Sequence, residues 1–192
     1  MTVALSVVIV VYDMPQQAMN TIRSFAAGYQ RHVDPQTYEI VVVENRSHHL
    51  LGEAQATSVA SNVRYFLREN EGQSPVPALI FGLEQARGKY LGVVIDGARM
   101  VTPRVLYWTM AAFRMTPHAI VSVPGYHLGR RLHQEAVLDG YSAEQEQQAL
   151  ADLDWICDGY RLFDMAVLSA SCAGGFLRPI GESNCIAVSR RL

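Results

Sequence analysis

Apolar positions follow two rhythms along this chain. Leu5 to Tyr12 (LSVVIVVY) is a continuous, β-branched run broken only by Ser6, the pattern of a strand covered on both faces. Tyr38–Val43 (YEIVVV), Val63–Leu67 (VRYFL), Tyr90–Ile95 (YLGVVI) and Ala119–Val123 predict four more strands. Between them, apolar residues recur every three to four positions. Met19, Ile22, Phe25 and Ala26 predict a helix starting near Pro15, with Asp13 as its N-cap. Leu79, Leu83 and Ala86 predict a helix over Pro77–Arg87, closed by Gly88, and Pro103–Met115 predicts another. Strand and helix alternate with short connections. The first 125 residues therefore predict βαβ units and a mostly parallel sheet between two helical layers.

Beyond that point the rhythm weakens. Gly125–Gly140 has no periodicity and predicts a loop. Ser142–Asp158 predicts a helix, opened by a capping box (Ser142 and Gln145) and given an apolar surface by Leu150, Leu153 and Trp155. Ser169–Gly175 is a small-residue loop, and Asn184–Val188 a last strand. No linker separates independent domains. The expected organisation is one structural domain: an α/β half over residues 1–125, and a region over 126–192 packed on the same sheet.

Composition narrows the class. The 192 residues are 49% hydrophobic and 18% charged, enough to bury a core and too apolar for a disordered chain. Sixteen basic against eighteen acidic residues give a net charge of -2. No basic surplus exists to neutralise a phosphate backbone, which argues against a dedicated nucleic-acid binder. Cys157, Cys172 and Cys185 form no CxxC. That argues against a disulfide framework or structural zinc, and predicts three small buried hydrophobes in a reducing compartment. The Val3–Tyr12 run is shorter than the roughly 20 residues that span a bilayer, and it lacks the basic start and cleavage site of a signal peptide. The expected location is cytoplasmic, with peripheral membrane attachment left open.

In an open parallel sheet, ligands bind at the carboxyl ends of the strands. Those positions hold Tyr12 and Asp13; Glu44, Asn45, Arg46 and Ser47; Glu69, Asn70, Glu71 and Gly72; and Asp96, Gly97, Ala98 and Arg99. An aromatic with several carboxylates suits a nucleotide: stacking for the base, acceptors for ribose hydroxyls, and a carboxylate-bound cation for the diphosphate. The competing reading is that strand ends simply begin loops, which are polar. GxxxxGK[ST], a GxGxxG after the first strand, GxSxG and HExxH are all absent, which argues against P-loop, dinucleotide, α/β-hydrolase and zinc-peptidase chemistry.

LSVVIVVYDMP, YEIVVVENRS, ENEGQS and GLEQARGKYLGVVIDGARMVTP, in that order over roughly the first 105 residues, resemble a family 2 glycosyltransferase. NCIAVSRRL resembles that family's late strand. The resemblance implies a three-layer α/β/α GT-A (Rossmann-like) fold. It implies transfer of a sugar from a nucleoside-diphosphate sugar, UDP- or GDP-linked, by a single displacement with inversion. The acceptor class (saccharide, lipid or protein) stays open. By the same resemblance Tyr12 lies near the base, Glu44 and Asn45 contact base and ribose, and Asp96 contacts the ribose and a metal-bound diphosphate. The implied cofactor is Mn²⁺ or Mg²⁺, held weakly by Asp96 and only with nucleotide. Ala98 replaces the second acid of the D-x-D signature, and Arg99 beside it is expected to contact phosphate with its fork of donors. Val10 and Ile80 stand where the family has Pro and Asn. The resemblance places the general base beyond Leu192, which suggests a truncated or shortened member. Glu182 is the best available carboxylate for a base.

Other polar residues have plainer readings. His48-His49 reads as a loop pair at a cleft rim, and His127 and His133 as exposed loop residues. Asp154 and Asp158 share a helical face, with Asp152 nearby, and read as solvated surface ahead of a metal cluster. Tyr160–Phe163 (YRLF) reads as core. Two other functions compete: a non-catalytic nucleotide-sugar-binding module or incomplete fragment, favoured by Ala98, and a nucleotidyltransferase, disfavoured because VVYDMPQQ is nothing like that class's G-x-G-[ST]-R-[LM] loop.

Overall fold

The computed structural model describes residues 2–69, 74–95, 98–129, 142–175, 178–181 and 183–191. In chain order the elements are β1 (Leu5–Val11), α1 (Pro15–Phe25), β2 (Tyr38–Asn45), α2 (Glu53–Ser58), β3 (Val63–Arg68), α3 (Val76–Gln85), β4 (Tyr90–Val94), α4 (Val105–Met115), β5 (Val121–Ser122), β6 (Tyr126–Leu128), α5 (Ala143–Leu153), β7 (Ala166–Leu168) and β8 (Cys185–Ser189). They fall into two compact units, Met1–Val121 with Asn184–Leu192, and Ser122–Ser183.

The first unit is built on a sheet of order β3-β2-β1-β4-β8-β5. β1 pairs in parallel with β2 and β4, and β2 with β3, while β8 runs antiparallel to β4. The continuous apolar runs have the predicted cause. Val7, Ile9 and Val11 pack in one cluster with Ile22 and Phe25 of α1 and Leu106 and Phe113 of α4. Val8 and Val10 pack in the other with Val41, Val43 and Ala78 and Ala86 from α3 and its end. Each such buried side chain is worth about 1.5–3 kcal/mol relative to exposure, so alternation of polar residues in β1 would be costly on either face.

Two glycines set the closeness of these layers. A Cβ on Gly82 would sit 2.4 Å from Val8 Cγ1, so α3 rests directly on the sheet. A Cβ on Gly88 would lie 2.6 Å from Ser6 N and 2.8 Å from Leu5 C. Gly88 is therefore needed for backbone-on-backbone approach, and α3 has already ended at Gln85.

Several local expectations are corrected. Asp13 is not the N-cap of α1; that position is Met14, with no side-chain cap, and Asp13 itself is left-handed at φ 53°. The strand expected over Ala119–Val123 shrinks to two residues. α2, six residues long, escaped prediction because it is too short to show a period.

In the second unit, β6 falls inside Gly125–Gly140, where a loop was expected, and pairs antiparallel with β7. α5 opens with the expected capping box at Ser142 and Gln145, but it stops at Leu153, where Asp154 turns left-handed at φ 50°. Asp154 and Asp158 thus share no helical face. Asp158 instead accepts from Tyr160 N and opens a 3₁₀ segment over Gly159–Met165. Within YRLF, Leu162 is buried but Tyr160 and Phe163 are exposed. All three cysteines are free; Cys172 is buried and Cys157, against expectation, is exposed.

Candidate functional site

β1 is the point where the strand order reverses, with β2 and β3 on one side and β4 on the other. A crevice at the carboxyl ends flanking such a strand is where open α/β sheets bind ligands. Tyr12 and Asp13 leave β1 there, and the register Val11 with Glu44 brings the end of β2 alongside. Tyr12 is half-buried. Asp13 is held in the left-handed region that few residues other than Gly, Asn and Asp adopt. Its Oδ1 accepts from His49 N at 3.0 Å and lies 3.0 Å from His49 Nδ1. The His49 backbone N–H, aided by the imidazole and its neighbour His48, holds the Asp13 carboxyl below its ordinary range despite opposing desolvation. The pair ties the loop after β1 to the loop after β2.

Glu44 and Asn45 end β2, and both are buried. Glu44 Oε1 accepts from Leu51 N at 2.7 Å, and Oε2 from Gly52 N at 3.0 Å and Tyr65 Oη at 2.5 Å. Burial and the adjacent Glu44 carboxylate push the Tyr65 phenol up. Gly52, at φ 79°, provides the turn that lets two successive backbone N–H groups reach one carboxylate. Arg46 and Glu69 form a two-pronged ion pair between the exits of β2 and β3, one prong at 2.7 Å, and Arg46 lowers the Glu69 carboxyl. The pair is exposed, so it shapes the rim more than it stabilises the fold.

The segment after β4 is stitched down by polar residues of α1 and the turn that follows. Thr21 Oγ1 accepts from Arg99 N at 2.8 Å, and Ser24 Oγ accepts from Val101 N at 3.0 Å. Tyr29 Oη donates to Val101 O at 2.9 Å. Gln30 donates to Thr102 O at 3.0 Å and accepts from Leu106 N at 3.1 Å. At the head of β8, the Asn184 amide oxygen, turned toward Arg99, accepts from Nε at 3.3 Å and Nη2 at 3.1 Å. Arg99 is thus fixed at both backbone and guanidinium.

Of the residues singled out in the sequence, Tyr12, Glu44 and Asn45 stand on adjacent strand ends, and Arg99 is anchored through α1. Asp96, Gly97, Asn70, Glu71, Gly72, His133 and Glu182 lie outside the described residues. Glu44 lies at the end of β2, and both its oxygens are engaged internally by Leu51, Gly52 and Tyr65. Sequence reasoning missed Thr21, Ser24, Gln30, Tyr65 and Asn184. Thr21 and Ser24 carried a signal: polar residues on the apolar face of a helix must find partners when buried.

Among the described residues no three His, Cys, Asp or Glu side chains are grouped to hold a metal ion. Ala98 offers no side-chain ligand. Among the described residues no helix is long and apolar enough to cross a membrane.

The model of the family described as Glycosyl transferase family 2 matches residues 6–169. Solved structures with similar folds include S. aureus TarS 1–349 (18% identity, TM-score 0.54, 61% of this chain and 34% of that one). They also include the mannosyltransferase PcManGT from Pyrobaculum calidifontis, in complex with GDP-Man and Mn²⁺ (13%, 0.54, 100% and 46%). A third is M. tuberculosis glucosyl-3-phosphoglycerate synthase (20%, 0.52, 98% and 57%). At these identities the likeness is one of fold. The chain spans about a third to somewhat over half the length of these proteins. No curated protein sequence matches it.

Proposed function

The chain belongs to glycosyl transferase family 2 and has the GT-A fold, and from that premise we propose that it binds a nucleoside-diphosphate sugar and transfers the sugar to an acceptor hydroxyl with inversion. What supports this reading is that Tyr12 follows β1, Asn45 ends β2 and the anchored Arg99 follows β4, the three strands around the switch point. The compounds in complex with two fold relatives, UDP-GlcNAc with S. aureus TarS and GDP-Man with PcManGT, are of this class.

The roles follow from chemistry. Tyr12 offers a ring for the base. Asn45 offers an amide to base or ribose. Glu44 contributes by holding the turn at Leu51–Gly52, since its oxygens already accept three hydrogen bonds. Asp96 faces ribose and cation in this reading, and Arg99 supplies positive charge to the diphosphate where Ala98 supplies none. A divalent cation, when bound, would offset the charge of the departing nucleoside diphosphate. The acceptor hydroxyl attacks the anomeric carbon as the diphosphate leaves, and its proton passes to a carboxylate, for which Glu182 is the candidate in this chain. Three free cysteines suit a reducing, cytoplasmic setting.

A nucleotide panel tests this. UDP or GDP should raise the melting temperature, more so with Mn²⁺, through preferential binding to the folded state. Arg99→Ala should weaken that binding roughly tenfold, the loss of one charge-assisted contact. No shift with any nucleoside diphosphate at millimolar concentration, with or without metal, overturns the donor assignment. The second reading, a binding module without turnover, rests on Ala98. It predicts the same shift with no product, whereas Glu182→Gln should abolish product and spare binding if Glu182 is the base.

A further inference from the structure

The outer face of α4 departs from what a surface helix normally carries. Its inward side buries Leu106, Thr109 and Phe113. At helical spacing on the other side stand Arg104, Tyr107, Trp108, Ala111, Arg114 and Met115. Trp108 is 59% exposed, Met115 88%, and Ile120 just beyond the helix 67%. A surface helix ordinarily turns polar residues outward. Here the outward residues are aromatic, aliphatic or Arg.

The patch is organised. Tyr107 meets Trp108 edge-to-face at 4.9 Å and His32 at 5.9 Å. Arg104 Nη2 lies 2.7 Å from His32 Nε2, and the Arg114 guanidinium stands 5.9 Å from the Tyr107 ring centre. Guanidinium groups therefore flank an aromatic ridge. Along the helix and its flanks the charged side chains are basic: from Met100 to Val121 there is no Asp or Glu, while Arg104 and Arg114 occur. The whole chain is net -2, so this basic character is local, not compositional.

Exposed Trp108 and Met115, with half-buried Tyr107 and two Arg along the same helix, complement a lipid surface. The rings and thioether enter at headgroup level, and the guanidiniums reach lipid phosphates. We propose that the outer face of α4 docks this protein on an anionic bilayer surface. This inference stands independently of the donor assignment, because its residues are not those of the strand-end site.

The test uses the full chain and vesicles of phosphatidylcholine with or without phosphatidylglycerol. The chain should sediment only with phosphatidylglycerol vesicles and be released by salt. The two Trp allow a direct readout: Trp155 is buried and Trp108 exposed, so Trp108 emission should move to shorter wavelength on binding. Trp108→Ser with Met115→Ser should weaken partitioning roughly tenfold or more, and Arg114→Gln about fivefold. Both variants should melt at the parent's temperature without vesicles, which separates docking from folding. No sedimentation at low salt overturns the proposal. So does sedimentation with unmoved Trp108 emission, because another surface then makes the contact. A concentration-dependent dimer that Trp108→Ser abolishes, without vesicle binding, also overturns it and assigns the face to a second copy.

Discussion

The two ends of the same parallel strands use polar residues in different ways. At the amino ends, Ser6, Glu39 and Arg64 close on one another and on the chain. Glu39 Oε1 accepts from Ser6 Oγ at 2.7 Å and Arg87 N at 2.7 Å, and Oε2 from Arg64 Nη1 at 3.0 Å. Ser6 Oγ in turn accepts from Gly88 N at 2.8 Å. At the carboxyl ends, Tyr12 is half-buried, Asp13 is left-handed, and the Arg46–Glu69 pair is exposed. The first end is a closed network that fixes strand starts. The second is a more exposed rim whose polar groups tie neighbouring loops together. Glu44 sits at the second end yet is wired like the first.

The largest effect expected from this contrast is at Glu39. Its side chain is 5% exposed in the pair with Arg64. Glu39→Ala takes that acceptor from the Arg64 guanidinium, the Ser6 hydroxyl and the Arg87 N–H, and should cost about 3–5 kcal/mol, read as the midpoint of chemical denaturation. The variant, where folded, should bind nucleotide as the parent does. Burial raises the Glu39 pKa, but hydrogen bonds from Ser6, Arg87 N and Arg64 outweigh it and hold the carboxyl below its ordinary value. A depressed folded pKa stabilises above the ordinary carboxylate pKa, and that stabilisation disappears as pH falls through the folded value. The gap between parent and variant should therefore close on acidification.

Glu44→Gln should cost less, about 2 kcal/mol, because the amide keeps one acceptor and turns its NH₂ toward a backbone N–H of Leu51 or Gly52, which can only donate. Unlike Glu39→Ala, it should also weaken nucleotide binding, through the Leu51–Gly52 turn. Calorimetry with UDP or GDP checks this. Unchanged affinity at reduced stability would place Glu44 with the structural end of the sheet.

Which parts of this contrast could be read from sequence follows from how each residue signals. β1 and β2 announced themselves because both faces of each strand are buried, which only an unbroken apolar run satisfies. The Ser142–Gln145 cap was legible because both partners are local. Glu39 and Glu44 were not separable: each is an acid in an apolar strand, and although Leu51 and Gly52 lie seven and eight positions from Glu44, the side chains and backbone that complete both networks (Tyr65, Arg64, Arg87) lie 21 to 48 positions away. The end of α5 was misread because a left-handed Asp is an uncommon helix stop. The anchoring of Arg99 was hidden for the same reason as Glu39: Thr21 and Asn184 meet it only in the folded chain.

The smallest effect is expected at Asp13, and it discriminates most finely. Asp13 has two features, a left-handed backbone and a solvent-exposed carboxylate on His49, and different substitutions separate them. Asp13→Asn keeps a residue that tolerates the left-handed region but removes the charge. Asp13→Ala removes the charge and strains the backbone. Asp13→Gly removes the charge and relaxes the backbone. If the open end of the sheet is held by loop geometry, Asn and Gly should lower the melting temperature less than Ala, and all three less than Glu39→Ala. The carboxylate's own share should fade with added salt, as exposed pairs do, and with falling pH, because the lowered Asp13 pKa stabilises above the ordinary Asp range and that share is lost as pH drops through the folded value. Melting curves of the three variants at two salt concentrations measure this. An Asp13→Asn loss as large as that of Glu39→Ala would mean that the carboxyl end is as tightly closed as the amino end, and that the space for a ligand must be sought elsewhere.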